Sequence, residues 1–152
     1  ISGCDPISVF CKEWNPAGSW YRHGTSAVAV FTMTDNVVFT YRGSWCAEGC
    51  NTSWECSWRA VGTKGSATLE NTTVKCERPA GSGEFINKCE TVEIPETSLE
   101  FTGHSGVIHE FMTCLKNGKS PQTVCTDNIK SLAMVEGAIA SAESGREVEI
   151  SI

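Results

Sequence analysis

Residues 104–118, HSGVIHEFMTCLKNG, and residues 126–145, TDNIKSLAMVEGAIASAESG, contain the change of hydrophobic period that decides the fold. In both segments apolar side chains recur every three or four residues, which is typical of an amphipathic helix. Thr126 can cap the start of the second helix, and Gly118 and Gly145 can end the two helices. The apolar positions are Val107, Ile108, Phe111, Met112, Cys114 and Leu115 in the first helix, and Ile129, Leu132, Val135, Ile139 and Ala142 in the second.

The preceding two thirds of the chain alternate between apolar and polar residues, which is the strand period. Turn-forming residues at 34–36, 62–65 and 71–72 separate several of these runs and predict hairpins. The predicted strands are residues 7–12, 27–33, 37–45, 66–70, 73–77 and 88–94, with a short closing strand at 148–150, and Trp54, Cys56 and Trp58 alternate in the same way. Strands followed by helices indicate an α+β fold, so we predict a mostly antiparallel, open-faced sheet with two C-terminal helices packed on one face.

Length and charge restrict the class of protein. The chain has 152 residues, which fits a single domain over residues 1–152, and its net charge is −6. An acidic chain is a poor partner for nucleic-acid phosphates and for anionic membrane surfaces, so we expect neither partner. No stretch approaches about 18 consecutive apolar residues, the length that a membrane-spanning helix requires.

Nine cysteines are many for a chain of this length. Because the number is odd, at least one thiol must stay free within a monomer. There is no C-x-x-C pair, and Cys46, Cys50 and Cys56 lack partners at zinc-finger spacing. We therefore favour reduced cysteines in a cytoplasmic protein and expect no metal site, while a secreted domain with disulfides remains the alternative.

Four segments near the C-terminus carry a family resemblance. They are residues 103–111 (GHSGVIHEF), 115–121 (LKNGKSP), 127–132 (DNIKSL) and 138–146 (AIASAESGR). They resemble the end of the glucose–fructose oxidoreductase / inositol dehydrogenase / MocA (Gfo/Idh/MocA) family, whose members typically have a helix leading to G-x-x-P and a helix closing with A-x-x-S-A-x-x-G-R. Upstream, residues 38–45 (VFTYRGSW) and 57–66 (SWRAVGTKGS) look like the family's central strands, so the resemblance extends from about residue 6 to residue 150.

The resemblance implies that this chain is the C-terminal substrate-binding and oligomerisation domain of an NAD(P)-dependent bacterial oxidoreductase. The substrate would be a sugar, inositol or a related polyol. Family members begin with a Rossmann domain whose Gly-rich turn holds the dinucleotide, and no G-x-G-x-x-G occurs here. The N-terminal Rossmann domain, the NAD or NADP and the residues that transfer hydride would then belong to the parent protein. We therefore expect no catalytic and no cofactor-binding residue in this chain, and no activity from it alone.

The strand pattern also predicts self-association. If both helices cover one face of the sheet, Val38 and Thr40 lie on the other face, which has few charges for a surface in water. Large apolar patches usually mark interaction surfaces, and the resemblance also implies contacts between subunits through this face. We therefore expect a homo-oligomer. A stand-alone carbohydrate-binding or other interaction module, possibly secreted, is the alternative, which the tryptophans, the cysteines and two glycosylation sequons at Asn51 and Asn71 permit.

Four residues are candidates for substrate contact. Trp45 and Trp54 could offer flat apolar faces to the C–H groups of a sugar, although large aromatics also stabilise sheet faces and interfaces. Arg42 could bind a hydroxyl or carboxylate, although a solvated arginine is more common. His23 lies in a loop rich in Gly and Ser, and loops often carry function, although most such histidines are simply exposed.

Overall fold

The computed structural model describes residues 2–81, 83, 85–95 and 97–152. Within this part of the chain there are eight strands and two α-helices, namely β1 (Pro6–Trp14), β2 (Ser26–Met33), β3 (Val38–Ser44), β4 (Trp58–Gly62), β5 (Gly65–Glu70), β6 (Thr73–Pro79), β7 (Cys89–Val92), α1 (Gly103–Lys116), α2 (Cys125–Ser144) and β8 (Val148–Glu149). They form two compact units, one of Ile1–Ala47 with Gly103–Ile152 and one of Glu48–Thr102. The predicted α+β class is confirmed, with the strands divided between two antiparallel sheets.

The first unit contains a sheet with the strand order β3-β2-β1-β8, and every neighbouring pair is antiparallel. The predicted hairpin between β2 and β3 is confirmed. Its 3-10 turn, Thr34–Asn36, places Asp35 and Asn36 at φ 56° and 58°. Asp and Asn tolerate this left-handed region better than other side chains, which explains why the turn occurs here.

The hydrophobic core lies between the first sheet and α2. Its buried side chains are Val9, Cys11, Ala29, Phe31 and Met33, and the partly buried Met134, Ala138, Ala142 and Ile150 pack against them. Phe31 and Phe39 stack across β2 and β3 with ring centroids 5.6 Å apart. Burial raises the pKa of the Cys11 thiol above its ordinary value, so this cysteine behaves as a small apolar core residue.

Helix α2 approaches the sheet through small residues. Gly137 and Ser141 are its buried positions, and a Cβ atom added to Gly137 would lie 3.1 Å from Ile150 Cγ1 and 3.2 Å from Val9 Cγ1. The predicted core face is therefore wrong for most of this helix, because Ile129, Leu132, Val135 and Ile139 are exposed. The predicted cap is also wrong, since the N-cap is Val124 and not Thr126, whereas Gly145 ends the helix at φ 66° as expected.

Replacing Leu132 with alanine is expected to change the free energy of unfolding by less than about 0.5 kcal/mol, the usual range for surface substitutions. The side chain is 58% exposed, so its removal opens no cavity in the core. A buried leucine would instead cost about 2–5 kcal/mol. Urea unfolding of the two proteins measures the difference, and a loss in the larger range would mean that Leu132 is covered in solution.

Helix α1 follows the predicted boundaries closely. It ends where Gly118 adopts φ 63° and the Lys119 amide donates to the carbonyl of Cys114 at 2.9 Å. None of its residues is buried, and its apolar side chains Val107, Ile108, Phe111, Met112 and Leu115 are all exposed. The described residues therefore do not bury the apolar face of α1.

The second unit contains a sheet with the order β4-β5-β6-β7, and no described residue between 48 and 102 is buried. The hairpin about Asn71 and Thr72 is confirmed, with both residues at positive φ (48° and 67°). The strand-like alternation at Trp54 and Cys56 is misleading, because Trp54 lies in a turn and β4 begins only at Trp58. Ion pairs on the surface of this unit join Lys75 to Glu77 at 2.7 Å and Arg78 to Glu90.

The helices of the described chain are short or polar in comparison with membrane-spanning helices. Neither α1 nor α2 is both long enough and apolar enough to cross a bilayer.

Candidate functional site

Two loops meet at one end of the first sheet, which we call the loop end. It consists of residues 15–25, between β1 and β2, and residues 45–47, after β3. The Thr25 amide donates to the carbonyl of Trp14 at 3.1 Å, and the Trp45 amide donates to the carbonyl of Thr25 at 2.8 Å. These hydrogen bonds extend the antiparallel pairing beyond the strands, and they hold both loops at the same end of the first sheet.

A cluster of hydroxyl groups surrounds one thiol at the loop end. The Thr25 hydroxyl lies 3.1 Å from Cys46 Sγ, and the Ser44 hydroxyl lies 3.5 Å from it. Ser26 and Ser44 are joined by a hydrogen bond of 2.7 Å between their hydroxyls. Hydrogen bonds from Thr25, and then from Ser44, lower the pKa of the Cys46 thiol below its ordinary value, because they stabilise the thiolate.

Aromatic and amide groups extend this surface along the β1–β2 loop. The Asn15 side-chain amide donates to the carbonyl of Tyr21 at 2.8 Å, and the Thr25 hydroxyl donates to Asn15 Oδ1 at 3.2 Å. The rings of Trp20 and Tyr21 lie with centroids 4.4 Å apart, and the Trp20 side chain is 82% exposed. The loop thus presents an uncovered aromatic face beside fixed polar groups.

An open groove of about 260 Å³ lies at the same end of the sheet, between β1, the β1–β2 loop and α2. It is lined by Glu13, Trp14, Asn15, Gly24, Ile139, Ala142 and Glu143. A Cβ atom at Gly24 would overlap the carboxylate of Glu13. The absence of a side chain at Gly24 therefore provides the space in which this carboxylate lies. One indole, two carboxylates and one amide therefore face a single space, and we call it the Trp14 groove.

The composition of the Trp14 groove suits a polyhydroxylated ligand. Ionised carboxylates accept hydrogen bonds from hydroxyl groups, an amide both donates and accepts, and an indole covers C–H surfaces. A second open groove, of about 470 Å³ along α2 and β8, is mainly apolar, being lined by Ile129, Leu132, Ala133, Val148 and Ile150 with Glu136 and Glu149. The smaller groove therefore offers more of the chemistry that a sugar needs.

The structure distributes the four predicted contact residues over both units. His23 is exposed in the β1–β2 loop, and Trp45 is exposed directly after β3, so both belong to the loop end. Arg42 lies on β3 opposite Val28, on the sheet face that α2 does not cover. Trp54 is exposed in a turn of the second unit. Of the four residues, only His23 and Trp45 lie in the loops that form the loop end.

Sequence reasoning missed most of the Trp14 groove and the hydroxyl cluster. Trp14 ends a strand, and Thr25, Ser26 and Ser44 look like ordinary sheet residues in a linear pattern. The available signal was the position of residues 15–25, a loop with aromatic, Gly and Ser residues between two paired strands. The contribution of α2, through Ile139 and Glu143, could not be foreseen because the facing of that helix was misassigned.

No group of three or more His, Cys, Asp or Glu side chains in the described part of the chain has an arrangement that could hold a metal ion. All nine cysteines lie in that part, and each is a free thiol.

An antiparallel sheet covered on one face by a helix, with a polar and aromatic groove at the end of the sheet, defines the class of this protein as an α+β domain. The model of the oxidoreductase family C-terminal alpha/beta domain matches residues 21–150, so the chain belongs to this family, the Gfo/Idh/MocA oxidoreductases. The resemblance noted in the sequence is thereby confirmed.

Individual relatives agree with this membership. The D-apiose dehydrogenase of Paraburkholderia graminis is 50% identical over 40 residues, which are 26% of this chain and 11% of that protein. The aldose-aldose oxidoreductase of Caulobacter crescentus, solved with glycerol, has 16% identity and a TM-score of 0.74 over 98% of this chain and 42% of that one. The WlbA dehydrogenase of Bordetella pertussis, solved with NADH and UDP-GlcNAcA, has 16% identity and a TM-score of 0.71 over 97% and 41%. The chain thus spans less than half the length of these proteins.

Proposed function

We propose that this chain is the C-terminal domain of a sugar or polyol oxidoreductase and that it binds the substrate in the Trp14 groove. The observation that carries the proposal is the convergence of Trp14, Glu13, Asn15 and Glu143 on one open space. Family membership supports the oxidoreductase part, and the names of the relatives, which act on apiose and aldoses, support a sugar or polyol as substrate. The whole protein would act in the bacterial cytoplasm.

The dinucleotide would be held by another domain. A dinucleotide site needs a parallel βαβ unit with a Gly-rich turn at the N-terminus of its helix. Both described sheets are antiparallel. Helix α2 begins at Cys125, its N-cap Val124 makes no side-chain hydrogen bond, and the element before it is α1, not a strand. The residues present therefore do not fit NAD or NADP, and a Rossmann domain in the parent protein would bind it. The NADH in the WlbA dehydrogenase supports a nicotinamide cofactor for the parent.

The four residues singled out in the sequence keep a place in the proposal. His23 and Trp45 at the loop end could extend the contact surface beyond the Trp14 groove, and Arg42 could bind an anionic or hydroxyl group on the uncovered sheet face. Trp54 belongs to the second unit and would serve a separate contact. A homo-oligomer through the uncovered sheet face is also part of the proposed role.

The second candidate function is a stand-alone carbohydrate-binding module. The same groove and the exposed tryptophans would serve it, whereas nine free thiols favour a reducing compartment over secretion. Titration of free thiols in denaturant distinguishes the oxidoreductase domain from the secreted module. A secreted module with disulfides would show one free thiol or fewer. Near nine thiols would support the oxidoreductase domain.

Replacing Trp14 with alanine is expected to weaken binding of a sugar probe by about tenfold, equivalent to about 1.4 kcal/mol. Among the described residues that line the groove, Trp14 is the only aromatic one. The alanine variant keeps the hydrogen bond from the Thr25 amide to the carbonyl of residue 14. Binding of D-apiose, D-glucose and myo-inositol would be measured by NMR titration of the whole chain. An unchanged affinity in the variant would exclude the Trp14 groove as the binding site.

The matched control uses two glycines. Gly24→Ala displaces the carboxylate of Glu13 and is expected to weaken binding of the sugar probes in the same titration. The control, Gly81→Ala, meets no atom of the described residues within 4 Å and should leave the affinity unchanged. Urea unfolding of each variant checks that the fold is retained.

A further inference from the structure

The hydrogen-bonding groups of the Trp14 groove are mostly acceptors. Glu13 and Glu143 contribute two carboxylates, which only accept hydrogen bonds when they are ionised. The Asn15 amide is already engaged within the β1–β2 loop, where it makes hydrogen bonds of 2.8 and 3.2 Å. A ligand of this groove therefore gains most from groups that donate hydrogen bonds.

The negative charge of the groove is not balanced within the described part of the chain. No Lys, Arg or His is among the described residues that line it. None of the ion pairs among the described residues involves Glu13 or Glu143. Arg146, which follows α2, does not line the groove and takes part in none of these ion pairs. The two carboxylates can therefore pair with a cation from solution.

The end of helix α2 adds to this negative potential. Backbone carbonyls at the C-terminus of a helix carry partial negative charge, which a basic side chain in the last turn commonly offsets. Helix α2 ends at Ser144 with no basic residue in its last turn, whereas α1 has Lys116 in the corresponding place. Glu143 lies in this last turn of α2, so its carboxylate and the helix end favour a cation together.

Glu13 and Trp14 are held beside each other by the first sheet. Both residues pair with residues of β2 across the antiparallel ladder. The carboxylate of Glu13 lies close to Gly24, where no Cβ atom competes for the space. The Trp14 side chain is 43% exposed, so its indole is accessible to a ligand. An aromatic ring attracts an ammonium group, and a carboxylate beside the ring adds an ion pair.

We propose that the Trp14 groove binds a polyol that carries a protonated primary amine, such as an amino sugar, and that Glu13 and Glu143 hold its ammonium group. This inference rests on the proposed sugar-binding function of the groove, and it specifies the chemical class of the ligand. The ammonium group brings three donors to a site rich in acceptors, while the indole covers the C–H groups of the ring. A sugar with a phosphate or carboxylate group would instead meet charges of its own sign.

Titration of the whole chain with four related sugars, followed by NMR, tests the proposal. At about pH 6, where an alkylamine is protonated, D-glucosamine is expected to bind about five- to tenfold more tightly than D-glucose, because exposed ion pairs and a cation–π contact each contribute modestly. N-acetyl-D-glucosamine keeps the nitrogen without its charge and should bind like D-glucose, whereas D-glucuronate should bind more weakly than either. Added salt should reduce the preference for D-glucosamine, since exposed charges are screened.

Substitutions assign the preference to the groove. Glu13→Gln and Glu143→Gln should each lower the affinity for D-glucosamine by about two- to fivefold. The affinity for D-glucose should change little, because glutamine still accepts hydrogen bonds from hydroxyl groups. The control is Glu136→Gln, which removes the same charge from α2 but lines the other groove, and it should leave the preference unchanged. All three glutamates are exposed, so each variant is expected to unfold at the same urea concentration as the wild type.

The outcomes separate this inference from the proposed function. Equal binding of D-glucosamine and D-glucose, both weakened by Trp14→Ala, would overturn the preference for an amine and keep the groove as a sugar site. A preference that survives Glu13→Gln and Glu143→Gln, or that Glu136→Gln lowers as strongly, would place the ammonium group elsewhere and overturn the inference. Binding of none of the four sugars would overturn both. Binding of D-glucosamine alone, weakened by Trp14→Ala, would support the inference and restrict the groove to amine-bearing ligands.

Discussion

Replacing Ser141 with alanine is expected to lower the free energy of unfolding by about 1–3 kcal/mol, the cost of leaving buried polar groups without partners. Ser141 is fully buried in α2, and its hydroxyl has two partners. It accepts a hydrogen bond from the Cys11 amide at 2.8 Å and donates one to the carbonyl of Arg146 at 2.5 Å. β8 pairs with β1 only at Ser8 and Val9, so the Cys11 amide at this edge depends on the hydroxyl.

Ser144→Ala is the matched control for this prediction. Ser144 lies three residues further along α2, is exposed, and donates within the helix to the carbonyl of Ala140 at 2.7 Å. Its removal should change stability by less than about 0.5 kcal/mol. Urea unfolding followed by circular dichroism measures both variants. Equal effects of the two changes would mean that the hydroxyl of Ser141 does not stabilise the contact between helix and sheet.

Replacing Gly137 with valine is expected to lower the free energy of unfolding by about 1–3 kcal/mol through overpacking. The first added carbon would already lie 3.1 Å from Ile150 Cγ1 and 3.2 Å from Val9 Cγ1, and two further methyl groups would displace both side chains. Valine has a higher helix propensity than glycine, so in an exposed helix the same change would be slightly stabilising. A loss of stability therefore measures the close approach of α2 to β1.

The control for Gly137→Val is Ser131→Val, an exposed position on the same helix. Serine and valine have similar helix propensities, so this variant should unfold close to the wild type. Thermal unfolding of both variants at one protein concentration gives the comparison, with concentration fixed because association would shift the midpoint. A Gly137→Val protein as stable as the wild type would show that the helix can move away from the sheet at little cost.

Ser141 and Gly145 give a physical reason for part of the family pattern. Ser141 is the serine of the A-x-x-S-A-x-x-G-R segment, and Gly145 is its glycine. The serine connects helix, sheet edge and the turn before β8, and the glycine ends the helix in the left-handed region that its φ of 66° requires. The resemblance at this segment therefore reflects packing and chain reversal.

The sequence by itself determined the class and most boundaries of the fold. Local rules suffice for these features, because turn residues at 34–36 and 71–72, strand alternation in β1, β2 and β3, and the helix-ending Gly118 and Gly145 act over a few residues. The order of motifs also sufficed to identify the family. Alternation misled only where, as at Trp54 and Cys56, it was not accompanied by a strand partner.

Only the tertiary structure decided which face of α2 packs and where the groove lies. A helix can lie closest to a sheet where its side chains are smallest, as α2 does at Gly137 and Ser141. The pattern of large apolar residues in the sequence instead predicts that the face with Ile129, Leu132 and Ile139 packs, and these side chains are exposed. The groove joins Trp14 and Gly24, which flank one loop, to Glu143, which lies far along the chain on α2. They meet because α2 packs against β1 near the end of that strand. Such encounters depend on distances between elements, and these are set by packing of the whole unit and not by any local pattern.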